Sequence, residues 1–139
     1  MTIAIDFDGT IVQHEYPKIG RELPFAIDTL KKIQNEGHHQ LILWTVREGD
    51  LLKEAVEYCR SRGLEFYAVN SNYPVAETET IQTQARKLTA DLFIDDRNLG
   101  GLPDWGVIYR MVMSGTPWEP MSAEMMPDAK PKRKGWFGR

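Results

Sequence analysis

Apolar and polar positions alternate along the chain with two different periods, and this alternation predicts strands and helices in turn. Short apolar runs rich in β-branched and aromatic residues predict strands at residues 2–7, 40–45, 65–70, 91–95 and 105–109. Apolar stripes at helical spacing predict helices at residues 24–36, 49–62 and 78–88. Residues 13–23 are polar and contain Pro17 and Gly20, so we expect a loop or flap there.

The order of these elements predicts the fold class. Strands that alternate with helices favour an α/β protein with a Rossmann-like parallel sheet covered on both faces, a three-layer α/β/α sandwich. The length of 139 residues fits one domain. The pattern fades near Ser114, so we expect a folded domain at residues 1–113 and a C-terminal extension at residues 114–139. The basic end of this extension predicts partial disorder.

The bulk composition argues against several classes of protein. The formal net charge is −3 and the isoelectric point is about 5.6, which does not favour nucleic acid as a partner. Cys59 is the single cysteine, which excludes an internal disulfide framework. No apolar stretch reaches the length of a membrane span, and no secretory signal opens the sequence. These features predict a cytoplasmic protein without a membrane partner.

The sharpest chemical signal is the segment Asp6-Phe7-Asp8-Gly9-Thr10, at the end of the first predicted strand. Residues two apart on a strand point to the same side, so we expect the carboxylates of Asp6 and Asp8 about 7 Å apart. Ligands bind at that edge of open α/β sheets, and Gly9 permits a sharp turn there. Adjacent carboxylates repel unless a cation lies between them, and Mg²⁺ prefers oxygen ligands. The segment predicts a magnesium site; two solvated acids are the simpler alternative.

Further candidates also follow predicted strands. Asp95 and Asp96 come after an apolar run, where they add two carboxylates to the metal site or cap a helix. Thr45 ends the second predicted strand, where a hydroxyl and nearby backbone N–H groups can hold a phosphate oxygen. Arg47 can bind phosphate through two hydrogen bonds. A strand-forming threonine is the simpler explanation of Thr45, and a solvated loop arginine explains Arg47 equally well.

Together these residues resemble the haloacid dehalogenase superfamily. Its first motif, Asp-x-Asp-x-Thr, matches residues 6–10. Its second motif, a Thr or Ser after an apolar strand, matches Thr45, and its fourth motif, an acidic pair, matches Asp95 and Asp96. The resemblance covers roughly residues 2–110.

The resemblance also indicates a capless, phosphatase-like member. Family members carry cap domains after the first and the third strand, whereas here residues 11–23 and 70–79 leave room only for a flap and a short loop. Capless members often act on bulky or exposed phosphates, or close their site with a neighbouring subunit. A homo-oligomer that closes the site is therefore one expected partner arrangement.

The resemblance implies a strand order of 5-4-1-2-3 and a role for each motif residue. Asp6 attacks phosphorus to form an aspartyl-phosphate, and Asp8 serves as general acid and then as general base. The implied Mg²⁺ ligands are Asp6, Asp8, Asp95 and Asp96. The implied ligands of the transferred phosphoryl group, from a phosphate monoester of unspecified class, are Thr45, Arg47 and Lys87.

The cation of the family's third motif stays open. Lys87 lies in the expected order along the chain, but the intervening strand would place it about 15 Å from the site at 3.3 Å per residue. Lys53, in the first turn of the second predicted helix, and Arg47 both start nearer to the site. The three residues remain alternatives.

Other functions fit part of the pattern. A phosphotransferase or phosphomutase of the same superfamily would pass the phosphoryl group to an alcohol and not to water. A receiver-like signalling module also uses carboxylates, magnesium, a Thr and a Lys, but it needs a phospho-accepting Asp after its third strand. Here that strand ends in Val69-Asn70-Ser71, which disfavours a receiver. Intact Asp6 and Asp8 disfavour a degenerate binding protein.

Overall fold

The chain folds into a mixed α/β structure built on a parallel sheet. A computed structural model of the protein describes residues 1–75 and 88–119. The strands are β1 (Thr2–Ile5), β2 (Val12–Glu15), β3 (Lys18–Glu22), β4 (Gln40–Leu43), β5 (Ala68–Val69) and β6 (Leu92–Ile94). The helices are α1 (Ala26–Glu36), α2 (Gly49–Ser61) and α3 (Trp105–Met113). The helix predicted at residues 78–88 lies, except for its last residue, outside the described residues.

The main sheet has four parallel strands in the order β5-β4-β1-β6. β1 is central, because Ile5 lies opposite Leu43 of β4 on one side and opposite Ile94 of β6 on the other. All four strands run in the same direction, so the residues that follow each strand meet at one edge of the sheet. Asp6 follows β1, and Asp95 and Asp96 follow β6, so these acidic residues lie at this edge.

Side chains alternate between the two faces of the sheet, and both faces contain buried residues. Ile3 and Ile5 belong to the larger core cluster, which also contains apolar residues of α1, α2 and α3. Ala4 and Ile42 belong to a second cluster, as expected for strand positions that point the other way. The described helices therefore cover the face of Ile3 and Ile5.

Helices α1 and α2 form where the apolar spacing predicts them. α2 buries Leu52, Ala55 and Cys59, which are three and four residues apart and so share one side of the helix. With 13 residues, α2 is the longest described helix. Within residues 1–75 and 88–119, no helix combines the length and the apolar character needed to cross a bilayer.

Residues 13–23, predicted as a loop or flap, contain most of a β-hairpin. β2 and β3 pair as a separate antiparallel sheet, with Tyr16 and Pro17 at the tip. The prediction missed these strands because His14 and Glu15 are both exposed, so the alternation of apolar and polar residues is missing. The flap is therefore an ordered hairpin.

The strand predicted at residues 105–109 is wrong, because this segment is helix α3. Its run of aromatic and β-branched residues favours a strand, but Trp105 and Ile108 are buried as parts of a helix face. The side chain of Asp104 caps the helix by accepting a hydrogen bond from the N–H of Val107 at 3.0 Å. Within the described ranges the main sheet has four strands and not the five that were predicted.

Candidate functional site

Asp6 is the first residue after the central strand β1. Its N–H donates to the carbonyl oxygen of Ile94 at 3.0 Å, so the chain still follows β6 at this point. Asp95 and Asp96 come directly after Ile94. One carboxylate oxygen from each of Asp6, Asp95 and Asp96 lies within 4.8 Å of the others, and all three residues are half-buried. The structure thus brings together the acids of two adjacent strands.

A tight loop follows Asp6 and sets the direction of the next side chains. The carbonyl oxygen of Phe7 accepts a hydrogen bond from the N–H of Thr10 at 3.2 Å. Gly9 has a φ of 84°, in the left-handed region that favours glycine. A Cβ atom at Gly9 would also collide with the carboxylate of Asp96. Glycine therefore permits both the turn and the close approach of Asp96.

Thr10 joins the loop to the acidic cluster. Its hydroxyl lies 3.2 Å from Oδ2 of Asp6 and 3.4 Å from Oδ1 of Asp96, and it accepts a hydrogen bond from the N–H of Asp96 at 3.1 Å. The carbonyl oxygen of Thr10 accepts a hydrogen bond from the indole N–H of Trp105 at 3.1 Å. Thr10 is fully buried, so these partners hold the loop without help from bulk water.

The electrostatics of the cluster oppose the ionisation of Asp6. Burial, the charge of Asp95, and the hydrogen bond and charge of Asp96 raise the pKa of Asp6 to about 7, against an opposing hydrogen bond from the N–H of Phe7. A divalent cation would relieve this repulsion. The donor set consists of carboxylate oxygens, which fits Mg²⁺ rather than a metal that prefers nitrogen or sulfur.

Asp8 is not a member of this cluster. Its two carboxylate oxygens accept hydrogen bonds from Nε and Nη2 of Arg47, both at 2.7 Å. Asp8 is 7% exposed and Arg47 is 0% exposed, so the ion pair is buried. Contrary to the expectation of four converging carboxylates, the cluster among the described residues contains three. Asp8 lies beyond the end of β1 and bridges to Val12, so the two-residue repeat of the strand no longer fixes its direction.

Arg47 is not placed as a phosphate ligand, contrary to its sequence-based assignment. Its guanidinium lies 5.2 Å from the ring centre of Phe7 and 5.3 Å from that of Tyr16. The hydrogen bonds to Asp8 raise the pKa of Arg47 against the opposing effect of burial. In the structure the fully buried guanidinium is thus paired with Asp8.

The other residues predicted to bind phosphate are Thr45, Lys53 and Lys87. The half-buried Thr45 donates its N–H to Oδ1 of Asn70 at 2.8 Å and accepts the N–H of Arg47 on its hydroxyl at 3.2 Å. Lys53 is exposed on α2. Lys87 lies outside the described residues.

Three residues of the site carry roles that the sequence did not assign. Thr10 was matched only as one position of the first motif, Trp105 was placed in a predicted strand, and Asn70 was placed at the end of the third predicted strand. Asn70 has a left-handed φ of 51°. Asparagine adopts this conformation more readily than most residues, so the residue type was the available signal in the sequence. Trp105 and Thr10 are 95 positions apart, so no local signal could have joined them.

Comparisons with known proteins show one clear likeness. No family model and no curated protein matches the chain. A solved structure, described as that of a conserved protein coded by a locus from Bacteroides thetaiotaomicron, is similar to it with 63% sequence identity and a TM-score of 0.74. The match covers 83% of this chain and 91% of the Bacteroides chain.

Proposed function

The chain belongs to the same family as the conserved Bacteroides thetaiotaomicron protein, and we propose that it is a magnesium-dependent phosphohydrolase of the haloacid dehalogenase type. Its substrate is a phosphate monoester. One observation carries the proposal: Asp6, at the end of the central strand, lies in a cluster with Asp95 and Asp96 whose carboxylate oxygens are within 4.8 Å of one another.

The position of Asp6 supports its role as nucleophile. The residue lies at the edge of the sheet where α/β proteins bind ligands, and it is half-buried and so open to solvent on one side. Mg²⁺ held by Asp6, Asp95 and Asp96 would offset the negative charge of the phosphate and of the three carboxylates. With its charge offset, an ionised Asp6 can approach an anionic substrate.

The reaction then runs in two displacements. Asp8 first takes up a proton from solvent. A carboxylate oxygen of Asp6 then attacks phosphorus while the bond to the ester oxygen breaks, which leaves an aspartyl-phosphate and an alcohol that receives this proton from Asp8. Asp8 next accepts a proton from a water molecule that attacks the same phosphorus. The second displacement returns Asp6 as a carboxylate and releases inorganic phosphate.

Other expectations from the sequence remain parts of this proposal. Thr45 and Lys87 are retained as candidate ligands of the phosphoryl group, while the position of Arg47 supports a different role. A second buried cluster on the face of the sheet away from the described helices supports a third layer, as in an α/β/α sandwich. A cytoplasmic location and a homo-oligomer that closes the uncapped site are also retained.

A panel of phosphate esters tests the proposal directly. We expect the purified protein to hydrolyse p-nitrophenyl phosphate and some alkyl phosphates with Mg²⁺, and to lose this activity in excess chelator. Asp6→Asn should reduce turnover by at least about a hundredfold because the amide is a poor nucleophile. Asp28→Asn, at an exposed aspartate in the first turn of α1, is the matched control and should retain activity.

Two results would contradict the proposal. Hydrolysis that continues undiminished in excess chelator would remove the metal from the mechanism. An Asp6→Asn protein that keeps more than roughly a tenth of wild-type turnover would show that Asp6 is not the nucleophile. Transfer of phosphate to an added alcohol, in preference to water, would instead identify a phosphotransferase.

A further inference from the structure

We propose that Arg47 is a positioning residue that fixes the Asp8 carboxylate and the tip of the β2–β3 hairpin against each other. The catalytic part of this inference rests on the proposed function, whereas the part that concerns the hairpin does not. It replaces the sequence-based assignment of Arg47 as a phosphate ligand with a different task in the same site.

Every N–H group of the Arg47 guanidinium has an acceptor. Nε and Nη2 each donate to one oxygen of Asp8 at 2.7 Å. Nη2 also donates to the carbonyl oxygen of Lys18 at 3.0 Å. Nη1 donates to the carbonyl oxygens of Pro17 at 3.2 Å and of Leu51, a longer contact, at 3.5 Å. A guanidinium has five N–H groups, so none remains for a phosphate oxygen.

The acceptors belong to three separate parts of the fold. Asp8 lies in the loop after β1, Pro17 ends the hairpin turn and Lys18 begins β3, and Leu51 lies in the first turn of α2. The ring of Tyr16, also in the hairpin turn, lies 5.3 Å from the guanidinium carbon. One buried cation thus ties the hairpin tip to the catalytic loop and to α2.

The burial of the charge makes this tie strong. Arg47 is 0% exposed, so protein groups alone satisfy its guanidinium while the hairpin is in place. If the hairpin tip moved away, two carbonyl acceptors would be lost from a buried cation, which costs free energy. The hairpin is therefore held in one place by the residue that also holds Asp8.

The geometry of the ion pair defines what Arg47 contributes to the reaction. Two parallel hydrogen bonds fix the plane of the Asp8 carboxylate, while each of its oxygens keeps a further lone pair. An acid or base is effective only when its proton is within hydrogen-bond reach of the reacting oxygen. Loss of Arg47 should therefore impair proton transfer to the leaving group and leave phosphate affinity unchanged.

Kinetics with two kinds of leaving group test the catalytic part. In Arg47→Lys and Arg47→Met, turnover of an alkyl phosphate should fall at least about tenfold more than turnover of p-nitrophenyl phosphate, whose leaving group needs little protonation. Inhibition by inorganic phosphate should stay within about twofold of wild type, because phosphate does not contact Arg47. Arg60→Met, at an exposed arginine of α2, is the matched control.

A phosphate-binding role predicts the opposite pattern. In that case the inhibition constant for inorganic phosphate would rise about tenfold or more, and the two substrates would lose turnover equally. This result would overturn the proposal.

Hydrogen exchange tests the hairpin without any need for activity. In Arg47→Lys, the amides of β2 and β3 should exchange at least about tenfold faster, while those of β1 and β4 keep their protection. Unchanged protection of the hairpin in a folded Arg47→Lys protein would overturn this part. If the wild type hydrolyses no phosphate ester, the proposed function fails, but a loosened hairpin would still support the tie.

Tyr16→Leu covers the case in which the Arg47 variants do not fold. This change removes the ring beside the guanidinium and leaves the ion pair itself intact. We expect faster exchange of β2 and β3 and a smaller shift in the same leaving-group pattern. If the Arg47 variants unfold and Tyr16→Leu matches wild type in both measurements, the proposal is overturned.

Discussion

Asp6 and Asp8 are separated by one residue but lie in opposite electrostatic surroundings. Asp6 faces two further carboxylates, which together with burial raise its pKa to about 7. Asp8 faces the buried guanidinium of Arg47 at 2.7 Å. The comparison shows that a short loop can give two identical side chains different tasks. Asp6 needs an external cation to offset the charge of its neighbours, whereas Asp8 is already paired with a cation of the same chain.

The largest expected effect comes from breaking the internal pair. Asp8→Asn should lower the free energy of unfolding by about 3–5 kcal/mol, because it leaves the buried charge of Arg47 without its counterion. Urea denaturation of the metal-free protein measures this loss, with Asp28→Asn as the exposed control. A loss no larger than that of the control would mean that the pair has little effect on stability.

The same substitution at Asp6 should act in the opposite direction. In the metal-free protein above pH 7, Asp6→Asn removes a charge that Asp95 and Asp96 oppose, and its amide can donate to one of them. We expect the melting temperature to rise by about 3 °C, which corresponds to roughly 1 kcal/mol for a chain of this size. A lower melting temperature than wild type would remove the contrast between the two aspartates.

The pH dependence of stability extends the comparison to a range of protonation states. The pKa of Asp6 is raised from 3.8 to about 7 in the folded protein, so between these values the folded state holds a proton that the unfolded state has released. Its contribution to stability is therefore fully present below about pH 4 and is lost as the pH rises to about 7. Thermal melts of metal-free wild type and Asp6→Asn across this range should diverge with rising pH.

Magnesium supplies the control for that measurement. The cation favours the ionised carboxylates, so the increase in melting temperature on adding Mg²⁺ should be larger at pH 8 than at pH 5. Asp6→Asn should weaken the increase. Equal stabilisation by Mg²⁺ at both pH values would indicate that the ion binds elsewhere.

Local patterns in the sequence predict much of the fold. β1, β4 and α2 are found where their apolar spacing places them. α3 could not be recognised in the same way, because Val107 and Ile108 are β-branched and Gly106 lowers helix propensity. The missed signal is Asp104, whose side chain caps the helix.

The residues of the site also differ in whether local sequence patterns could place them. Asp6, Asp95 and Asp96 could be brought together in advance, because parallel strands deliver the residues after them to one edge. The pairing of Asp8 with Arg47 could not, because the two are 39 positions apart and the loop that turns Asp8 aside is not a regular element. The sequence therefore assigned Asp8 to the metal and Arg47 to phosphate, whereas the structure pairs the two side chains with each other.

The hydrogen bond from Trp105 to Thr10 has a consequence for how the protein is made. Its partners are 95 positions apart, so the loop that carries the first motif leaves the ribosome long before the indole that braces it. Asp95 and Asp96, which follow β6, are also synthesised late. A nascent chain that ends before α3 lacks the donor for the buried carbonyl of Thr10, a contact of high sequence separation that forms slowly. The assembled site is therefore a property of the translated domain as a whole and not of its N-terminal half.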